Sequence, residues 1–163
     1  MHRLDTHVDI DASLASVWQV LADLQNYGAW NPFIVRVDGV CQPGERVVVH
    51  MHIPGKGLQR YQVRLTTIDA PHTFRWLGHF KVPGLIDGDH AFELSSLPDG
   101  RVRVRQCEDF RGMLVPFVWR GFIQRHLLPC FERLNLNLAA WCERRSLPVE
   151  LPGDGVTGAR SGP

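Results

Sequence analysis

Three polar side chains in the C-terminal half of the sequence fall where groups of that type are costly unless they have a partner. Between Arg101 and Phe110, the residues Val102 and Val104 share a strand face with Gln106, Glu108 and Phe110, while Arg101, Arg103, Arg105, Cys107 and Asp109 take the other. The arginine face must be the wet one. Gln106 and Glu108 are thereby directed inward, where an unpaired carboxylate is strongly disfavoured. One segment earlier His90, Phe92 and Leu94 share a face, so His90 can pair with Glu108 across a ladder or face the same interior space. An imidazole and a carboxyl in an apolar setting can satisfy each other as a structural pair, which is the commoner arrangement. They can also orient a polar group of a ligand, or act as acid and base in a cyclase- or dehydratase-like reaction, with burial raising the carboxyl pKa. Trp76, on the parity of Phe74, adds an aromatic wall to the same interior or is simply core.

Other constellations are weaker. His50 and His52 form an H-x-H on one strand face and, with His79 or His90, would make a three-nitrogen metal site. No carboxylate or cysteine stands at supporting spacing, so no metal and no cofactor is expected. Arg101, Arg103, Arg105 and Arg111 could contact phosphate, but a solvated outer sheet face explains them, and a net charge of +1 favours that explanation over nucleic-acid binding. Tyr27, Trp30, Asn31 and Phe33 either gate a pocket or plug one end of the fold. The apolar stretches Val82-Pro83-Gly84-Leu85-Ile86 and Met113-Leu114-Val115-Pro116 need a reason for standing in loops, and covering a pocket mouth is one.

The elements that would position these residues follow from periodicity. Val8 and Ile10 alternate with Asp9 and Asp11, which suits a first strand over His7 to Ala12. Ser13 is a good N-cap, and Leu14, Val17, Trp18 and Leu21 predict a short amphipathic helix over Leu14 to Ala22. Asp23 to Pro32 reads as an ordered aromatic corner. Period-two segments separated by Gly/Pro turns then predict strands over Phe33 to Cys41, Arg46 to Ile53, Arg60 to Asp69, Thr73 to His79, His90 to Leu97 and Arg101 to Phe110. Hairpin spacing makes them an antiparallel meander. From Phe117 to Arg144 the period is helical, with Trp119, Phe122, Ile123, Leu127, Phe131, Leu134 and Leu138 on one face, and Pro129 is expected to kink or split that helix.

This order of elements is that of the helix-grip fold, and the sequence resembles the START-related superfamily known as SRPBCC, particularly its bacterial polyketide cyclase/dehydrase and lipid-transport branch. The resemblance is carried by Val17-Trp18-x-x-Leu21-x-Asp23, Tyr27-x-x-Trp30-Asn31-Pro32-Phe33, Trp76-x-Gly78, Gly88-x-His90-x-Phe92 and Glu108-x-Phe110-x-Gly112, which together extend from about residue 5 to 144. It implies a cavity between sheet and helix. Family members include lipid carriers, ring cyclases and assembly factors, so fold analogy does not choose a function.

The expected architecture is therefore α+β, with about seven curved antiparallel strands wrapped around a long C-terminal helix. Residues 1–145 form a ligand-binding domain, and 146–163 a Gly/Pro-rich tail expected to be disordered. With 163 residues and 44% hydrophobic content, one continuous core is attainable. Eighteen Lys and Arg nearly balance seventeen Asp and Glu, which gives no global field toward nucleic acid or an anionic membrane. No apolar run reaches the roughly 20 residues of a membrane span, and Met1 to Asp5 does not open a signal peptide, so a cytoplasmic location is expected. Cys41, Cys107, Cys130 and Cys142 form no C-x-x-C pair and are expected to be free thiols.

The leading expectation is a binder or carrier of a hydrophobic small molecule, lipid or polyketide-like, without catalysis. Its pocket would be lined by Trp76, His90, Phe92, Gln106, Glu108, Trp119, Ile123 and Phe131. The alternatives are an acid–base enzyme using His90 and Glu108, and a protein-assembly factor using the apolar loops. Ligand identity and oligomeric state are left open.

Overall fold

The computed structural model describes residues 1–53 and 55–146. Ser146, the first residue of the tail expected to be disordered, instead closes the last helix, and the rest of that tail, 147–163, lies outside the described residues. Seven strands form one antiparallel sheet in the order β1-β7-β6-β5-β4-β3-β2. They are β1 (His2–Ile10), β2 (Ile34–Asp38), β3 (Arg46–Ile53), β4 (Gly57–Asp69), β5 (Thr73–His79), β6 (Asp87–Ser96) and β7 (Val102–Arg111). Helix α1 (Leu14–Ala22) and a 3-10 turn (Leu24–Ala29) separate β1 from β2. The C-terminal helical segment runs as α2 (Val115–Val118), a π-helical stretch (Trp119–Leu127) and α3 (Leu128–Ser146).

β1 begins five residues before the expected His7, because Leu4 and Thr6 continue the inward alternation and each finds a partner on β7, Leu4 opposite Glu108 and Thr6 opposite Gln106. β2 is shorter than expected. It starts after Asn31, whose Oδ1 accepts the amides of Phe33 at 2.9 Å and Ile34 at 2.8 Å, and it ends at Gly39, where φ is 133°. The Ser13 hydroxyl accepts the Ser16 amide at 3.1 Å and so caps α1, whose Val17 and Leu21 enter the core. The corner after α1 is packed into the fold, and its Phe33 also lines the cavity between sheet and helix. Tyr27, Trp30, Asn31 and Phe33 are all buried, and the Tyr27 hydroxyl donates to the Leu21 carbonyl at 2.7 Å.

β7 pairs with both neighbours without a bulge, so its parity is uninterrupted. Val102, Val104 and Gln106 are buried, Glu108 is half-buried, and Arg101 and Arg103 are exposed. The outer face is less wet than its arginines suggest. Cys107 and Asp109 lie on it and are buried, Asp109 at 7% exposure, because long side chains roof them over. Arg3 grips Asp109 with two bonds of 2.7 and 2.6 Å, Arg103 grips Asp9 with two of 2.7 Å, and Arg105 bridges Asp5 and Glu93. These bidentate pairs satisfy the guanidiniums within the sheet.

The C-terminal helix departs from expectation at its start. It begins at Val115 rather than Phe117, and Phe117 is 82% exposed. Pro129 does not split it, since the helical segment is continuous through α3. Instead the preceding nine residues are π-helical, and the Leu128 amide donates to the Ile123 carbonyl five residues back. A proline lacks the amide an α-turn requires and crowds the carbonyl one turn earlier, and a wider turn before it relieves the crowding. Beyond it α3 buries Phe131, Leu134, Leu138, Ala139 and Cys142, along with one polar residue, Asn135, whose amide donates to the Thr6 hydroxyl of β1 at 2.9 Å.

Candidate functional site

A cavity of about 340 Å³ lies between the sheet and the C-terminal helical segment. Its sheet wall is built from inward-parity residues of β3 to β7: Met51, Ile53, Tyr61, Val63, Trp76, Gly78, Gly88, His90, Gln106, Glu108 and Phe110. The helical wall is Val118, Phe122 and Ile123 from the π-helical region, then Leu127 and Phe131. The rim carries Lys56, His79, Phe80, Ile86 and Leu114.

Two glycines make room at the sheet wall. Gly78 and Gly88 stand opposite each other on β5 and β6, where side chains would otherwise fill the gap. A Cβ at Gly88 would overlap Glu108 Oε1, so the glycine is the bed on which the Glu108 carboxyl lies. The apolar loops meet above. The amides of Met113 and Leu114 donate to the carbonyls of Gly84 at 2.9 Å and Leu85 at 3.0 Å, which ties the loops together while Met113 remains 69% exposed.

The polar part of the wall is a line of three groups. His90 is 3% exposed and Gln106 is fully buried, and their side chains meet at 3.0 Å through His90 Nε2. His90 stacks on Trp76 with ring centroids 4.3 Å apart and 14° between planes, and Phe92 and Phe131 meet it edge-on. Burial, assisted by the charge of Arg75, pushes the imidazole down to about 3, so it is neutral at physiological pH. Burial, assisted by the charge of Asp89, pushes Glu108 up to about 8. The cavity admits solvent to part of this carboxyl, yet protein surrounds it closely enough to keep it protonated near neutrality.

The expected His90–Glu108 pair is corrected. The two are directly opposite in the β6/β7 register, but His90 turns to Gln106, and among the described residues no hydrogen bond or ion pair joins His90 to Glu108. With both groups neutral, there is no ionic attraction to hold them together. Six of the expected lining residues are in the wall: Trp76, His90, Gln106, Glu108, Ile123 and Phe131. Phe92 and Trp119 are not. Phe92 has inward parity but is covered by Trp76 and His90, and Trp119 is drawn aside to stack on His2 at 4.6 Å and edge against Phe110.

The proposed histidine cluster does not assemble. His50 bonds Asp38 at 2.8 Å, His52 is exposed, His90 is in the cavity wall, and among the described residues no three metal-ligating side chains converge. His79 instead lines the cavity rim with its Nδ1 2.7 Å from Asp87 Oδ1, a carboxylate that also receives the Gly84 amide. The sequence signal was a histidine and an aspartate flanking one hairpin. A second depression of similar volume lies between α1 and α3, lined by Ser16, Gln19, Asp23, Asn26, Trp141 and Arg145, and it is predominantly polar. Among the described residues no helix is long and apolar enough to cross a membrane.

Solved structures with this arrangement are numerous. The aromatase/cyclase Zhui from Streptomyces sp. R1128 superposes with a TM-score of 0.73 at 18% identity, over 88% of this chain and 94% of that one. A START superfamily protein from Mycobacterium smegmatis gives 0.72 at 14% identity, over 90% of this chain and all of the other. Protein MLL2253 from Mesorhizobium loti gives 0.69 at 13%, over 90% and 100%. At these identities the likeness establishes the fold. No curated protein matches the sequence. The sheet that grips the helix, the cavity between them and a sequence profile that matches residues 1–141 agree, and the chain belongs to the polyketide cyclase / dehydrase and lipid transport family.

Proposed function

We propose that this protein binds a hydrophobic small molecule in the cavity between the sheet and the π-helical segment. The observation that carries the proposal is the cavity itself: about 340 Å³ bounded mainly by aliphatic and aromatic side chains, with a short polar line on one wall. A few polar groups in a mainly apolar cavity are the usual composition of a ligand site of this size. The experiment is a titration with the neutral apolar fluorophore N-phenyl-1-naphthylamine. Saturable binding at one site is expected, together with its loss in Ile123→Trp, whose indole would enter the cavity. Because that bulk occupies open space, the thermal midpoint should change by no more than about 1 kcal/mol equivalent. Absence of saturable binding to the wild type would overturn the proposal.

One observation favours a second reading, in which the bound molecule is also transformed. Glu108 is a carboxyl kept protonated near neutrality, and His79, oriented by Asp87, lines the same cavity. Such a pair can supply a proton at one point and remove one at another. In this reading Glu108 is the acid, and the base is His79 rather than His90, which burial makes too weak a base. Turnover of a cyclisable poly-ketone substrate that survives in both Glu108→Gln and His79→Ala would remove this reading.

A further inference from the structure

The His90–Gln106 contact leaves a remainder whichever way its protons are arranged. If the Gln106 amide group donates to His90 Nε2, then His90 Nδ1–H has no acceptor and Gln106 Oε1 no donor; both atoms are buried and unpaired. If the amide is turned over, the ring donates, and what remains is an unpaired ring acceptor and an unpaired amide donor. Either way the two residues leave one donor and one acceptor buried behind the cavity surface, a polar backing to the wall on which Glu108 lies. Beside them Glu108, on its Gly88 bed, has no hydrogen bond among the described residues. Its protonated carboxyl adds one more donor and one more acceptor.

Charges around this wall are already committed. Arg75 and Asp89 project to the opposite sheet face and pair with each other at 3.1 Å, and His79 is held by Asp87. Lys56 is at the rim, its ammonium 4.2 Å from the centre of the Phe122 ring. Among the described residues lining the cavity, no cation stands at the His90–Gln106–Glu108 wall. A carboxylate brought there would be desolvated without a counter-charge, whereas a hydroxyl or carbonyl could both give and receive.

We infer that the cavity selects a neutral ligand, an apolar body bearing a hydroxyl or carbonyl group that reaches the His90–Gln106–Glu108 wall, over the same body bearing a carboxylate. This rests on the ligand-binding reading above and narrows it to a chemical class. The group a ligand meets is the half-buried Glu108 carboxyl, which among the described residues has no protein partner and no cation beside it, so a neutral hydroxyl or carbonyl can pair with it where a carboxylate would be left desolvated.

The test displaces N-phenyl-1-naphthylamine with 2-naphthol, 2-naphthoate and naphthalene at pH 7. The expected order is naphthol tighter than naphthalene, and at least tenfold tighter than naphthoate. In Glu108→Leu the advantage of naphthol over naphthalene should shrink severalfold while the fluorophore still binds. Glu108→Gln, neutral and nearly isosteric, should retain the preference for naphthol over naphthoate and serves should the leucine variant fail to fold. Naphthoate binding as well as naphthol, or an unchanged naphthol advantage in Glu108→Leu, would overturn the inference and leave the ligand-binding reading standing. Failure of the fluorophore and all three naphthalenes to bind the wild type would overturn both.

Discussion

Replacing Glu108 with Gln should change how stability depends on pH in a window where few other groups interfere. The folded pKa of Glu108, about 8, lies above its ordinary value of 4.5, so between those values the folded state holds a proton that the unfolded chain has released. Stability must therefore fall as pH rises through that range, by at most about 1.4 kcal/mol per unit. His90 has the opposite sign. Its folded value of about 3 lies below 6.5, so stability falls as pH drops from 6.5 toward 3. Between 4.5 and 6.5 the two slopes oppose and the wild type should show a plateau. From 6.5 to 8 only Glu108 contributes, which amounts to a loss of about 1 to 2 kcal/mol once the solvent reaching the carboxyl is allowed for. The buried thiols, raised above 9, act at higher pH, and the carboxyls held low by Arg3, Arg103 and Arg105 act below 3.8. Glu108→Gln should remove the decline from 6.5 to 8 and tilt the former plateau upward with pH. Urea unfolding at pH 5, 6.5 and 8 on both proteins measures this. An alkaline decline of equal size in the variant would show that Glu108 is not the group responsible, and the account of its burial would be wrong.

Two further outcomes are expected. Gly88→Ala should displace the Glu108 carboxyl from its bed, bringing its pKa down toward 4.5 and flattening the alkaline decline, which the same urea series reads; an unchanged decline would mean the overlap is relieved elsewhere. Asn31→Ala should cost about 2 to 4 kcal/mol, because the buried amides of Phe33 and Ile34 both lose their acceptor, and a urea midpoint within error of wild type would contradict that assignment.

Much of this was legible in the residues themselves. α1, β3 and β5 have the bounds that their periodicity implies, because each is bracketed by an unambiguous signal: Ser13 before α1, Pro43-Gly44 before β3, the turn at Pro71-His72 before β5. The parity of β7 placed Gln106 and Glu108 in the interior because valines and arginines alternate there without a break. What sequence could not supply was the partner. A ladder puts Glu108 opposite His90, but rotamers decide that His90 bonds diagonally to Gln106, and no one-dimensional pattern encodes that choice. Trp119 leaves the cavity face for a related reason: helical spacing at 3.6 residues per turn does not hold where the helix is π, and Trp119 turns to stack on His2. The glycines opposite one another at 78 and 88 were visible as a motif, yet their role depends on two strands being adjacent and on the carboxyl of a third lying over one of them.

The π-helical stretch has a consequence for how this scaffold can change. A helix that is wound more loosely for nine residues holds more residues than an α-helix spanning the same turns, so its two ends are out of phase by roughly 100° for each extra residue. Removing one residue between 119 and 127 would let the stretch tighten toward α geometry without disturbing α3, whose contacts with β1 would stay in place. The helix upstream, Val118 included, would keep its phase, while inside the stretch the residues on one side of the deletion would move by one position and present their neighbours to the cavity in place of Phe122 or Ile123. A single-residue deletion would thus exchange one wall of the binding space for another, a route to altered ligand preference that point substitution on the rigid sheet does not offer.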